Sequence, residues 1–231
     1  MTKLPATVLA ASVPLVVAAF WPRYFSRPFA AVDAYTHFHA LMGSLWLLLL
    51  IAQPLCIHYR GLALHRALGH CSYILAPMFV TAGVLLSHYR LASMSDETFA
   101  AEGYSHYLPF YGSMAFTAAY VLGLRYRRVP EAHGRFMLLT AVPLVDPVVG
   151  RVLFFYFLPL PEPWLYQAVT FTLATAAAGL LVFSYRGQSS PRRALVAYFA
   201  LLVALELGWF SLALTAPWLY LVAWFRGLPL T

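Results

Sequence analysis

Of the 231 residues, 62% are hydrophobic and only 10% are charged, against roughly 45–50% apolar and 25% charged in soluble domains. That balance excludes both a water-soluble globule and a disordered chain, and leaves a bilayer as the medium for the surplus apolar surface. The net charge of +7 does not point to nucleic acid, because the arginines are spread over short gaps between apolar runs rather than massed on one soluble face.

Taken in chain order, apolar runs fall at about residues 4–21, 34–57, 67–89, 108–125, 134–158, 164–184 and 194–215. They predict an all-α fold: a polytopic membrane helical bundle of about seven transmembrane helices, filling a single domain over 1–231. The first run follows Lys3 and precedes Trp21-Pro22-Arg23, with Val17-Ala18-Ala19 as a signal-peptidase-like site; it is read as a retained span. Pro143 and Pro147 predict a kink in the fifth span. Residues 215–231, with Pro217, Trp218, Tyr220, Trp224 and Arg226, have the composition of an interfacial helix rather than an eighth crossing. Cys56 and Cys71 make no disulfide framework and are read as small packing residues.

Loop arginines set the expected orientation. Arg60, Arg66, Arg125, Arg127, Arg128, Arg135, Arg186, Arg192 and Arg193 occupy alternate gaps, whereas the other gaps hold only Arg23, Arg27 and Arg90. The first set is expected to be cytoplasmic, which places the N-terminus inside and the C-terminus outside a bacterial inner membrane.

Eight histidines in so apolar a chain are the most informative feature, because ionisable groups in spans are costly and tend to mark a site. His37, His39, His88 and His106 are expected near the outer face, and His58, His65, His70 and His133 near the inner one. His70 and His88 are 18 residues apart, five whole turns and about 27 Å along one helix, so both face the same way. Spans two and four run inward and spans three and five outward, so His39 or His37 can meet His106 at one end, and His70 can meet His133 at the other. Opposed imidazoles of this kind could clamp a haem iron. With Asp33 as a carboxylate, the set Asp33, His37, His88 and His65 could instead hold zinc, copper or non-haem iron. Histidines at helix ends also serve as plain interfacial hydrogen-bonding groups, a reading that applies to His58, His65 and His106.

Asp146 and Arg151 in span five and Glu206 in span seven are charges inside spans, so partners are expected. Asp146 with Arg151, or Glu206 with Arg151, are the available pairs, acting either as a packing ion pair or as a proton or substrate contact. No HExxH or CxxC motif is present, which weighs against a zinc protease and a thiolate metal site.

The run from His39 through Trp46 to Gln53-Pro54, then His65-Arg66-Ala67-Leu68-Gly69, then His133-Gly134-Arg135-Phe136-Met137 resembles a family of uncharacterised bacterial multi-spanning membrane proteins. The likeness covers about residues 37–151, including Asp146-Pro147 through Arg151, and implies a fold without an activity. The alternation of histidines over spans two with four and three with five is also similar to the cytochrome b561 type of transmembrane haem protein. That resemblance implies His39 and His106 on an outer haem b and His70 and His133 on an inner one, with electrons passing from a quinol-like or soluble donor. The alternatives are a membrane-embedded metal enzyme acting on a lipid or isoprenoid, with Asp33, His37, His88 and His106 as its site, and a carrier or accessory subunit in which Asp146, Arg151 and Glu206 line a path.

Overall fold

Helix boundaries follow the local chemistry of the chain, and ten α-helices result among the residues that the computed structural model describes, 4–157 and 162–231. Lys3 and residue 158, the end of the fifth expected span, lie outside them. The helices are α1 (Leu4–Phe20), α2 (Ala34–His58), α3 (Leu62–Ala92), α4 (Asp96–Glu102), α5 (Tyr107–Arg125), α6 (Pro130–Leu139), α7 (Val145–Tyr156), α8 (Pro163–Phe183), α9 (Ser189–Ser211) and α10 (Ala216–Arg226). No strand occurs among the described residues. Asp33 caps α2, its Oδ1 accepting the Thr36 amide at 2.8 Å. Ser95 caps α4 through the Thr98 amide at 3.1 Å, with Asp96 and Glu97 in the first turn. Proline opens α6, α8 and α10, where its missing N–H costs nothing.

Six helical segments are long and apolar enough to cross a membrane: Leu4–Phe25, Ala34–His58, Leu62–Ala92, Pro130–Tyr156, Trp164–Phe183 and Ser189–Ser211. The expected fourth span is present as α5 but is not among the six. Its Tyr107, Tyr111, Ser113, Thr117 and Tyr120 dilute its hydropathy. It is also the helix that other helices enclose, burying Tyr107, Tyr111, Ala115, Phe116, Ala119, Tyr120 and Gly123. The fifth span comes in two pieces. Pro143 and Pro147 cannot return hydrogen bonds to the preceding turn, so α6 ends at Leu139 and a 3-10 turn over Val142–Leu144 leads into α7. The Leu139 carbonyl left there accepts the Tyr198 hydroxyl at 3.4 Å.

Two apolar cores meet on α5. On one side Trp46, Leu49, Leu50 and Ala76 from α2 and α3 pack on Phe116 and Tyr120. On the other, Tyr111, Ala115 and Ala119 pack with Phe136 and Leu139 of α6, Phe171, Ala174 and Ala178 of α8, and Leu195, Tyr198 and Leu202 of α9. Trp46 is wholly buried, and its Nε1 donates to Thr140 Oγ1 at 3.1 Å, fastening α2 to the break in span five. Outward-facing Leu48, Ile74, Leu180, Phe183 and Leu207 are each more than half exposed, which suits a lipid-facing surface. At 11 residues, about 16 Å long, α10 is too short to cross a bilayer. It closes one end of the bundle: Trp218 packs on Tyr107 and Phe110, and Arg226 holds the Leu91 and Met94 carbonyls and Asp96.

Candidate functional site

Near the start of α2, His39 stacks on Phe79 with ring centroids 5.2 Å apart, and its Nδ1 is buried with no hydrogen-bond partner. The ring lies against Gly83 of α3, where a Cβ would come within 3.5 Å of His39 Cε1 and 4.0 Å of Ser113 Oγ. One turn further along α3, Ser87 Oγ shares a hydrogen bond of 2.9 Å with His106 Nδ1. Burial lowers the His106 imidazole to about 4, so its ring is neutral at ordinary pH. The helices therefore bring His39 and His106 to successive turns of one face of α3. Sequence reasoning did not identify Gly83, Ser87 or Ser113; the signal was the run of small residues facing a histidine.

At the opposite end, His133 of α6 places its Nδ1 2.8 Å from the Gly123 carbonyl. A carbonyl can only accept, so Nδ1 carries the proton and Nε2 of the neutral ring keeps its lone pair. His65 of α3 lies within electrostatic range of His133. The His65 Nδ1 is buried without a partner, as is Gln53 Oε1 beside it, while Gln53 Nε2 donates to the His65 carbonyl at 3.2 Å. His70, the expected partner of His133, is exposed and lies beside Tyr73. The 100° step per residue turns position 70 off the face that carries His65 and Gly69 inward, so the histidine that approaches His133 is His65.

The expected metal set does not converge, and no group of three or more His, Cys, Asp or Glu side chains suited to a metal ion occurs among the described residues. Asp33 is spent as the α2 cap and pairs with Arg90 at 3.4 Å. Burial works to raise its carboxyl, but the Thr36 amide and hydroxyl and the Arg90 guanidinium outweigh it and hold it below its usual value. Both nitrogens of His37 are engaged: Nε2 donates to the Phe29 carbonyl at 3.0 Å and Nδ1 accepts from Tyr24 at 3.1 Å, with Phe29 stacked on the ring. His88 is buried under the C-terminal segment, bonded to Thr231 at 2.7 Å and packed edge-on against Phe225. His65 belongs to the other end of α3.

The charges inside spans also find partners other than those expected. Ion pairs among the described residues are Arg90–Asp33, Arg135–Glu131 and Arg226–Asp96, so neither Asp146 nor Glu206 is bridged to Arg151. Asp146 is 7% exposed and accepts the Thr170 hydroxyl at 2.7 Å. Arg151 feels the Asp146 charge but donates to the Pro147 carbonyl at 2.8 Å and lies over the Phe20 ring. Glu206 is held by the hydroxyls of Tyr111, at 3.3 Å, and Thr175. Hydroxyls on other helices supply these bonds, and periodicity alone does not reveal them.

Among the described residues, fold and side chains together give an all-helical bundle with six segments long and apolar enough to cross a membrane, histidines near each end of α3, and two hydroxyl-bonded acids between α7, α8 and α9. Set against protein-family models, curated proteins and solved structures, the chain gives no match in any of the three.

Proposed function

We propose that the protein is an integral-membrane redox protein that holds b-type haem between paired histidines and passes electrons across the bilayer. The observation that carries this reading is the His133 ring, whose Nδ1–H is committed to the Gly123 carbonyl while Nε2 stays free. A carbonyl on the far nitrogen is how ligating imidazoles are commonly oriented. His65, with its orphaned Nδ1, supplies the second imidazole at that end in place of His70. At the other end His39 and His106 take the corresponding roles, with the absence of a side chain at Gly83 letting the His39 ring lie directly against α3. Paired imidazoles with orphaned nitrogens suit a flat, iron-centred group better than a free ion, which wants three or more ligands. Bound haem would supply one-electron transfer. The chain's part is to fix the ring planes, through Gly123 and Ser87, and to keep water out with Phe79, Phe116 and Trp46.

In this reading α5 is a further crossing, seven in all. Its 19 residues extend about 28 Å, and its polar side chains are shielded by neighbouring helices rather than by their own composition. The arginine-rich gaps lie in the cytoplasm, which puts the N-terminus inside a bacterial inner membrane, the His133 end toward the cytoplasm and the His39 end outside, where a quinol-like or soluble donor is met.

Purification in a mild detergent after expression with added haem tests the proposal. A Soret band with the sharp reduced bands of a bis-imidazole b-type centre is expected, with loss of one component in His133→Ala. A folded, porphyrin-free protein would overturn it.

A further inference from the structure

Between α8 and α9 a groove of about 420 Å³ opens on the outward surface of the bundle. Its walls include the exposed Thr172, Ala176 and Leu207, the buried Phe171, and Thr175 and Glu206. No histidine lines it, so it is independent of the haem reading. Glu206 is 3% exposed, yet it is among the residues that line the groove. Tyr111 and Thr175 donate one hydrogen bond to each of its oxygens. A carboxylate has about four acceptor positions, so two remain. No basic side chain lines the groove, no ion pair reaches Glu206 among the described residues, and the neighbouring charge is a second acid, Asp146. Glu206 also lies five residues before the end of α9, about 7.5 Å along the axis, which is within reach of a polar head whose tail runs along the helices.

We propose that this groove binds an amphiphile with a primary ammonium head, the head donating to Glu206 and the alkyl chain lying over Phe171, Ala176 and Leu207. The ligand supplies the positive charge that the protein withholds. An ammonium has three donors, matching the two open acceptor positions on Glu206 and the Thr172 hydroxyl at the groove mouth. A buried carboxylate with no cation of its own is costly in an apolar medium, so a cationic head is favoured over a neutral one.

The test uses the full chain in maltoside micelles and follows thermal unfolding by tryptophan fluorescence while N-dodecylammonium is titrated below its micellar concentration. A saturable rise in the midpoint is expected, with at least a tenfold higher half-effect concentration in Glu206→Gln. Ala176→Trp fills the groove without touching the carboxyl; a similar weakening in this variant shows that the groove, rather than the fold, is responsible. Dodecanol is the neutral control and should produce no saturable shift. No saturable shift with the ammonium, an equal shift with dodecanol, or unchanged half-effect concentrations in both variants would each overturn the proposal.

Discussion

The two sides of α5 handle buried polarity differently. Toward α8 and α9, both buried acids are held by hydroxyls, Tyr111 and Thr175 closing on Glu206 and Thr170 on Asp146, while Tyr198 donates to the Leu139 carbonyl and the Tyr185 hydroxyl is left without a partner. Toward α2 and α3, the buried Nδ1 atoms of His39 and His65 and the Gln53 Oε1 are left open. Both sides are built from the same apolar alphabet, so the contrast does not come from composition. It separates a region whose buried acids are each held by hydroxyls from one whose buried imidazole and amide atoms are in reserve, which in an apolar medium is costly unless something binds there.

Substitutions at five positions break or sharpen that contrast. The largest effect is expected at Trp46, the wholly buried ring that ties α2 to Thr140. Trp46→Ala should destabilise by about 3–5 kcal/mol, read as a fall in the midpoint of denaturant unfolding in micelles. Next, Tyr111→Phe takes one of two donors from Glu206 and should cost about 1–3 kcal/mol. His39→Phe, by contrast, removes a nitrogen with no hydrogen bond, so stability should change by less than about 1 kcal/mol while haem binding is lost. Equal losses for the two would dissolve the distinction. Asp33→Ala removes the α2 cap at a cost of about 1 kcal/mol. Because Asp33 is held below its ordinary value, the unfolded chain takes up the proton first. Its contribution is therefore intact above about pH 4 and lost as the pH falls through the folded value, and a stability–pH profile of Asp33→Asn should lack that acid limb. The smallest effect belongs to Asp96→Asn, whose pairing with Arg226 is 2.8 Å long but 96% exposed on the aspartate side. A change below about 1 kcal/mol is expected.

Much of the scaffold was legible in the sequence because length and apolarity specify spans almost without reference to neighbours. The limits of α2, α8 and α9 lie close to the apolar runs, and the prolines at 143 and 147 foretold the interruption between α6 and α7. α5 shows where composition alone falls short. Its tyrosines and serine lower its hydropathy, and only packing explains why they are tolerated. Histidine placement was harder to read. Helical arithmetic correctly separated the two ends of α3, but it could not choose between His65 and His70, because that choice depends on how far α3 is rotated against α6. His37 and Asp33 looked like ligands by type, whereas the loop over residues 21–31 and the first turn of α2 consume their hydrogen-bonding capacity. The hydroxyl partners of Asp146 and Glu206 come from residues 24 and 31 or more positions away, contacts that no local pattern encodes.

The split between α6 and α7 has a consequence for the bilayer that surrounds it. A continuous helix meets a change in membrane thickness by tilting as one rod, carrying every side chain with it. Here the helix is broken after Leu139, so its two halves need not tilt as one rod, and the Trp46 indole pins the joint itself to α2. Thinner or thicker lipid should therefore alter the angle between Phe136 and Val148 while leaving the grip of His133 on Gly123 undisturbed.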